Sequence, residues 1–182
     1  MFRKKQKKFS GRESETLKSL KNTLDGYEGY DNVKDRTKSD RALRTYLLNL
    51  MLDLIDSFSM VKNQLMQGQL LSTWPASNQV LTMLNDLRTL LTSDVYRHST
   101  FFETPNISDN IEISVLYLLE SETILEIRSI KENISTVSKK LEALDLLNIE
   151  NEIFKIKSDI EAVNTTISDR AELIASFEIV GF

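Results

Sequence analysis

The sequence contains no cysteine, one histidine, two prolines and five glycines among its 182 residues. Without cysteine the chain can form neither a disulfide framework nor a thiolate zinc site, which favours a reducing compartment. The glycines and prolines are too few for the turns of an all-β protein, whereas long helices need few of either. These absences therefore favour an α-helical protein.

The same absences exclude most catalytic templates. With His98 as the single histidine, the chain cannot build a two-histidine zinc helix or a di-iron bundle site. It also lacks a Gly-x-Ser-x-Gly nucleophile elbow, a phosphate-binding glycine loop and a dinucleotide fingerprint. We therefore expect no enzymatic activity, no cofactor and no metal. A helical-bundle enzyme with carboxylate chemistry near His98 and Glu103 is a weaker alternative.

The chain has no long uninterrupted apolar run. Its most apolar window, residues 46–55, is broken by Asn49 and Asp53 and is shorter than the roughly 20 residues that a membrane-spanning helix needs. The basic residues at the start are followed by polar residues rather than by an apolar segment, so we expect no secretory signal. We accordingly expect a cytoplasmic protein, with peripheral membrane association as an alternative.

Apolar residues recur at steps of three and four through residues 40–69, as on one face of an α-helix. Further apolar residues between Tyr46 and Ile55 widen this face until little polar surface is left. Because other elements must cover such a helix, we place it at the centre of a helical bundle, with Ser39 or Asp40 as its N-cap. The predicted buried face is Leu43, Leu47, Leu50, Leu54, Phe58, Val61 and Leu65.

Two shorter helices are predicted on either side of the central one. The first spans residues 13–25 and ends at Gly26, where the loop Gly-Tyr-Glu-Gly-Tyr begins. The second spans residues 77–93, and Pro75 suits its first position or the turn just before it. Their predicted buried faces are Leu17, Leu20 and Leu24 in the first and Val80, Leu84, Leu87 and Leu91 in the second.

Two heptad seams fill the last third of the chain. A step of five residues between Leu144 and Ile149 interrupts the period, and a turn at residues 145–148 would fold the two seams into an antiparallel coiled-coil hairpin. No glycine or proline marks this turn, so one helix with a local discontinuity is an alternative. The seams are Ile127, Ile130, Ile134, Val137, Leu141 and Leu144, then Ile149, Ile153, Ile156, Ile160, Val163 and Ile167.

These elements predict an all-α fold, a helical bundle of about five helices with a long C-terminal antiparallel coiled-coil hairpin. We divide the chain into three parts. Residues 1–12 form a flexible basic arm, and residues 13–106 form a helical core around the central helix at 40–69. Residues 107–182 form the long helical hairpin, which packs on the core or extends from it.

Charge is distributed unevenly along the chain. The first 50 residues carry 13 basic and 7 acidic residues, and the other 132 carry 10 and 20, so the net charges are +6 and −10. This asymmetry predicts either an anionic partner for the basic front or contact between the two parts. An anionic membrane or a nucleic acid could bind the arm, and a solubilising tail is the alternative. The candidate binding residues are Arg3, Lys4, Lys5, Lys7 and Lys8.

Four aromatic residues in predicted loops are candidate contacts for a protein partner. Their alternative role is packing against the bundle, which is the more frequent fate of loop aromatics. The four are Tyr27, Tyr30, Phe101 and Phe102.

Charged residues elsewhere are predicted to be solvated. Basic residues between positions 34 and 44, including Arg36, are interleaved with acidic residues such as Asp40, which predicts a surface salt-bridge network. The carboxylate pairs Glu120 with Glu122 and Glu122 with Glu126 lie in a helical pattern, and the second pair shares a face. A solvated helix side is their usual meaning, and a metal or acid–base role is the alternative.

We predict a non-catalytic helical scaffold or adaptor that acts through protein–protein interaction, and we add self-association through the heptad seams as a further prediction. The alternative is a peripheral membrane- or nucleic-acid-binding protein that uses residues 3–8. No small-molecule substrate is predicted. The outline of a basic start, helices and a long hairpin resembles membrane-remodelling filament proteins of the ESCRT-III type, although their hairpin follows the basic start directly. No residue role is carried over from that family.

Overall fold

The computed structural model describes residues 15–93, 99–103 and 110–177. Within these ranges the chain forms five α-helices and no strand, with 85% of the residues helical, which confirms the predicted all-α helical bundle. The helices are α1 (15–23), α2 (Val33–Gln67), α3 (Trp74–Thr92), α4 (Asn110–Glu142) and α5 (Ile149–Ser176), and short 3₁₀ turns occupy Leu71–Thr73 and Thr100–Phe102.

The described residues divide into two compact units. The first consists of residues 15–46, 99–103, 110–123 and 166–177, and the second of Leu47–Ser93 and Ile124–Thr165. The helices α2, α4 and α5 each contribute residues to both units. Each unit therefore has buried residues from all three long helices.

Helix α2 begins at Val33, well before the predicted start. The Asn32 side chain accepts a hydrogen bond from the Lys34 N–H (3.2 Å), which satisfies one free donor of the first turn. The predicted N-caps Ser39 and Asp40 are wrong, because both lie inside the helix and are buried. Their polar atoms bind other parts of the first unit, so their positions reflect tertiary contacts rather than a helix end.

The predicted apolar faces form most of the core. The exception on α2 is Leu50, which is only partly buried, and Met51 takes a core position instead. The predicted faces of α3 and α5 are buried, and so is that of α4 as far as Leu141. Leu144, which the seam predicted to be buried, is 82% exposed. It lies beyond the end of α4, where the helical period no longer sets its direction.

In the second unit, α4 and α5 are separate helices joined by a turn at residues 143–148. Asn133 Nδ2 donates to Asp159 Oδ2 (2.9 Å), and Lys140 forms an ion pair with Glu152. Lys140 comes after Asn133 in α4, whereas its partner Glu152 comes before Asp159 in α5. The two helices therefore run in opposite directions here. Coiled-coil packing along the pair stays a prediction.

The long helices are amphipathic rather than uniformly apolar. Helix α5, for example, buries Ile153, Ile156 and Ile160 while exposing Glu161. Among the helices in the described ranges, none has an apolar stretch long enough to cross a membrane.

Candidate functional site

Four charged side chains occupy core positions in the first unit. Arg36 and Asp40 lie on α2, Glu120 on α4 and Arg170 on α5, and none of them is more than 7% exposed. A buried charge costs several kcal/mol unless it is paired and hydrogen-bonded. The partners of these four groups therefore decide what the cluster can do.

The Glu120 carboxylate accepts three hydrogen bonds. Its Oε1 accepts from the Tyr30 hydroxyl (2.5 Å) and from Arg170 Nε (2.8 Å), and its Oε2 accepts from the Tyr27 hydroxyl. Burial raises the pKa of Glu120 above its ordinary value of 4.5, while the Arg170 charge and the hydrogen bonds oppose that rise. One guanidinium and two phenols therefore surround both oxygens of this carboxyl group.

Arg170 connects the two buried carboxylates. Its Nη2 donates to Asp40 Oδ1 (2.8 Å) and to the Tyr30 hydroxyl oxygen (2.9 Å), in addition to the Nε contact with Glu120. Arg44 lies 3.9 Å from the other Asp40 oxygen, so two carboxylates face two guanidinium groups. These contacts join α2, α4 and α5. We call Tyr27, Tyr30, Asp40, Glu120 and Arg170 the buried polar network.

The loop Gly-Tyr-Glu-Gly-Tyr supplies both phenols of the buried polar network, and Ser39 holds it in place. The Ser39 hydroxyl accepts from the N–H groups of Glu28 (3.0 Å) and Gly29 (2.9 Å) and donates to the Gly29 carbonyl (2.9 Å). Gly29 has a φ of +90°, and a Cβ there would lie 2.7 Å from Tyr117 Oη. Both the backbone conformation and the close approach therefore require glycine at this position.

Tyr117 and Arg36 fix the backbone around Tyr30. Tyr117 Oη accepts from the Tyr30 N–H (2.8 Å) and donates to Asp31 Oδ2 (3.2 Å). Arg36 donates one hydrogen bond to the Tyr30 carbonyl and one to the Phe101 carbonyl, each 2.7 Å long. Its guanidinium lies 5.0 Å from the centre of the Phe101 ring. The ring face further stabilises the buried cation.

The phenols in this region act as hydrogen-bond donors. Burial, followed by the Glu120 charge, raises the pKa of Tyr27 and of Tyr30 far above the ordinary value of 10, and burial also raises the pKa of Tyr117. Among the described residues, every buried side-chain nitrogen and oxygen has a hydrogen-bond partner. The polar groups thus satisfy one another, and their main effect is to fix α2, α4, α5 and the loop in one arrangement within the first unit.

No metal site accompanies this network in the described ranges. They contain no group of three or more His, Cys, Asp or Glu side chains that could hold a metal ion.

The candidate partner-contact aromatics are mostly inside the first unit. Tyr27, Tyr30 and Phe101 are buried, and Phe102 is partly buried. The Phe101 ring contacts the rings of Tyr30 (5.4 Å between centroids) and Phe177 (4.7 Å). This burial favours the packing alternative for the three enclosed rings, because a partner cannot reach them in this structure.

Two predictions about solvated charges are wrong. The surface salt-bridge network predicted for Arg36 and Asp40 and the solvated position predicted for Glu120 are not observed. All three side chains are buried, and each has a specific partner inside the first unit. The basic residues at positions 3–8 and His98 lie outside the described residues.

Arg170 was not recognised from the sequence, although a signal for it exists. It lies three residues after Ile167 and four before Ile174, so it continues the α5 seam at a position that an apolar residue would normally fill. A charged residue in phase with a long apolar seam therefore marks a buried ion pair in this chain.

A second feature lies at one end of the second unit. Gln64 near the end of α2 contacts Ser138 near the end of α4 (3.5 Å), so the turns that follow these two helices lie at the same end of the unit. This end has six of the eleven exposed large hydrophobic side chains in the described residues. A group of such side chains is typical of a binding surface. We call Met66, Leu71, Trp74, Leu144, Leu146 and Leu147 the apolar end.

Leu144 is the most exposed member of the apolar end, and its φ of 56° is left-handed. It closes α4 in a Schellman motif, in which its N–H donates to the Leu141 carbonyl (3.1 Å) and the Asp145 N–H donates to the Lys140 carbonyl (2.9 Å). Glycine is usual at this position, because a left-handed conformation costs other residues about 1–2 kcal/mol. The left-handed conformation of Leu144 therefore costs free energy, and burial of its side chain does not offset that cost.

The charges beside the apolar end are mostly acidic. Glu142, Asp145 and Glu150 are exposed and form no ion pair with any residue in the described ranges. Lys140 is paired with Glu152, which leaves Lys139 as the only other base in residues 139–152. The α4–α5 side of the apolar end therefore has an acidic border that favours a cationic contact there.

Comparisons of the chain with protein-family models, with curated proteins and with solved structures found no match, so the resemblance in outline to ESCRT-III-type proteins receives no support from them.

Proposed function

We propose that the protein is a non-catalytic helical scaffold or adaptor, and that the apolar end of the second unit is its contact surface for another protein. Leu144 carries this proposal. It is a large apolar side chain, 82% exposed, at a left-handed position where glycine is favoured. Backbone strain persists where something else requires it and is concentrated at functional sites. A bound protein would cover this side chain and supply the missing burial energy.

The first unit supports the same proposal. Its buried polar network is internally satisfied, with Glu120 and Arg170 bound to each other and to tyrosines or Asp40. Satisfied buried networks make a structure rigid. A rigid framework suits a protein that presents a fixed surface to a partner.

Site-specific photo-crosslinking tests the proposal. A photoreactive amino acid is placed at position 147 of the full chain in its native cell, and at position 125 in a matched control. Leu125 is also an exposed leucine of the second unit (61%), on α4 and outside the apolar end. We expect a second protein to be crosslinked from position 147 and not from position 125. Crosslinking of the same proteins from both positions, or of none from either, would contradict the proposal.

Leu144→Gly separates binding from stability at the same surface. The substitution should raise the free energy of unfolding by about 1 kcal/mol, because it removes the left-handed strain. It should also lower the crosslinking yield from position 147, because it removes the contact. An unchanged yield in a stabilised variant would show that Leu144 does not take part in binding.

Binding of an anionic membrane or a nucleic acid by the N-terminal basic residues is a second candidate function. Five positive charges occur within six positions, and each contributes about 1 kcal/mol near an anionic surface. Glutamine at Arg3, Lys4, Lys5, Lys7 and Lys8 should therefore weaken sedimentation with anionic vesicles or retention on DNA. Equal, salt-insensitive binding by both proteins would argue against this function.

A further inference from the structure

The apolar end of the second unit is unevenly charged. On its α4–α5 side, Glu142, Asp145 and Glu150 are exposed and form no ion pair with any residue that the structure describes. On the side of the turn between α2 and α3, residues 63–85 contain no charged residue. An occupant that complements this surface therefore carries positive charge along one edge and is apolar over the rest.

Backbone strain is concentrated at the same two turns. Three residues other than glycine have a positive φ within the described ranges. They are Gln69 (56°) between α2 and α3, and Leu144 (56°) and Asn148 (61°) between α4 and α5. Asparagine adopts this conformation more readily than glutamine or leucine. Because strain is concentrated at functional sites, its position gives a second reason, independent of exposed side chains, to place a binding surface at this end.

We propose that the partner bound at the apolar end is a basic amphipathic helix of another protein. The apolar face of this helix covers the exposed leucines and Trp74, and lysines or arginines along one edge pair with the acidic border. The inference rests on the proposed function, because it specifies the class of partner for the same surface.

A helical partner fits this surface better than an extended one. An extended segment binds where its main chain pairs with the edge of a sheet, and the described residues contain no strand. The apolar side chains offer no hydrogen-bonding groups, so the peptide groups of an extended segment would lose water without replacement. A helix satisfies its own main chain and presents one apolar face.

Charge distinguishes this partner from other occupants. Two copies of the apolar end with like sides together would bring Glu142, Asp145 and Glu150 near their own counterparts, which opposes association. In the opposite orientation, each acidic border would lose water against the uncharged turn of the other copy without gaining a counter-charge. An anionic lipid surface or a nucleic acid would be repelled by the same carboxylates.

A binding assay with designed peptides tests the proposal. The probe is a fluorescent peptide of about 18 leucine and lysine residues, with the leucines at steps of three and four so that they share one helical face. One control peptide has glutamine in place of every lysine, and another has the composition of the probe in an order without helical period. We expect the full-length protein to raise the fluorescence anisotropy of the probe, less so with added salt. Absence of binding, or equal binding of the probe and either control, would overturn the proposal.

Charge-reversal variants locate the basic edge of the bound peptide. Glu142→Lys with Glu150→Lys should weaken binding of the probe about tenfold, because two favourable charge contacts become repulsive. The matched control is Glu132→Lys with Glu161→Lys, which makes the same change in net charge at exposed positions of α4 and α5 farther from the turn. The control should weaken binding less than about twofold. Equal weakening by both pairs would mean that the peptide responds only to net charge, and the proposal would fall.

Leucine variants test the apolar contact in the same assay. Leu147→Ser should weaken binding of the probe about tenfold, because the peptide no longer covers a leucine side chain. Leu125→Ser, at an exposed leucine outside the apolar end, should leave it unchanged. Unfolding curves for each variant confirm that the receptor is folded. Equal binding by both folded leucine variants would place the peptide elsewhere and contradict the proposal.

Crosslinking in the native cell identifies the segment of the natural partner. A photoreactive amino acid is placed at position 147 of the full chain, and mass spectrometry locates the crosslinked site in each captured protein. We expect this site to lie in a segment with an apolar helical face and lysine or arginine along its edge. Crosslinks only to segments without basic residues, or only to the apolar end of a second copy, would overturn the inference.

The inference and the proposed function can fail separately. If position 147 captures another protein through a segment without basic residues, the inference falls and the proposed function stands. If position 147 captures no protein, both fall, whatever the designed peptide does.

Discussion

Arg170 Nε on α5 donates a hydrogen bond of 2.8 Å to the carboxylate of Glu120 on α4, and both side chains are buried. Removing the guanidinium leaves Glu120 and Asp40 without their shared cation, and breaking a buried ion pair from one side costs about 3–5 kcal/mol. We therefore expect Arg170→Ala to lower the free energy of unfolding by that amount in a denaturant titration.

An exposed arginine provides the control for this prediction. Arg88 lies on α3 with its side chain in solvent, so Arg88→Ala should change the free energy of unfolding by less than about 0.5 kcal/mol. Similar losses for both variants would mean that the buried polar network contributes no more than a surface charge.

The stability of the protein should depend on the protonation of Glu120. Burial raises its pKa in the folded state above 4.5. Between pH 4.5 and that higher value, the folded protein keeps the proton and the unfolded chain loses it, so stability decreases as pH rises. The wild type should therefore lose stability relative to Glu120→Gln through this window, as measured by chemical unfolding at a series of pH values.

Glu122→Gln, which removes an exposed carboxyl from the same helix, is the control for Glu120→Gln. A relative stability of the wild type that increases with pH would contradict the prediction. It would mean that the Arg170 charge and the three hydrogen bonds outweigh the cost of burial.

Three buried tyrosines should make the protein sensitive to alkali. The pKa values of Tyr27, Tyr30 and Tyr117 are raised above 10 in the folded state. Above pH 10 the unfolded chain loses these protons and the folded protein keeps them, so each phenol lowers stability by up to about 1.4 kcal/mol per pH unit. Tyrosinate absorbance should show these phenols ionising only as the protein unfolds.

Tyr27→Phe tests the assignment of this absorbance change. The substitution should reduce the increase in tyrosinate absorbance on unfolding by the contribution of one phenol. Reversible ionisation of all the phenols before unfolding would contradict the burial described for them.

The two glycines of the Gly-Tyr-Glu-Gly-Tyr loop should tolerate alanine differently. Both have positive φ, +75° at Gly26 and +90° at Gly29, so alanine costs about 1–2 kcal/mol at either position. A Cβ at Gly29 would also lie 2.7 Å from Tyr117 Oη and 2.9 Å from Leu17 Cδ1. Gly29→Ala should therefore lower the free energy of unfolding by about 1–3 kcal/mol more than Gly26→Ala does.

Denaturant unfolding of both alanine variants measures this difference. At Gly26 the nearest atom to a new Cβ is the flexible Lys38 Cε at 3.4 Å, so Gly26→Ala reports backbone strain with little steric cost. Equal losses would mean that Tyr117 can move without cost to the buried polar network.

The apolar core could be predicted because its positions follow helical geometry alone. Ile153, Ile156 and Ile160 recur at steps of three and four, and such a row must face away from water whatever it packs against. The same reasoning misplaced Leu144. It is in phase with Leu141, but α4 ends before it, and no glycine in the sequence marks that end.

The sequence did not predict the buried charges because their residue types favour solvent, whereas their positions in the helical period favour the core. Asp40 and Arg36 continue the α2 seam at steps of three and four before Leu43, yet Asp and Arg are rarely buried without partners. Asp40 and Arg170 are 130 positions apart. A pairing across that separation is a tertiary relationship that local periodicity does not contain.

Arg36 donates hydrogen bonds to the main-chain carbonyls of Tyr30 and Phe101, in addition to its contact with the Phe101 ring. Every amino acid carries such a carbonyl, so evolution can exchange the residues at both acceptor positions and keep these hydrogen bonds. A diverged homologue should therefore be easier to recognise by an arginine seven positions after the second glycine of the loop than by the aromatic residues beside it.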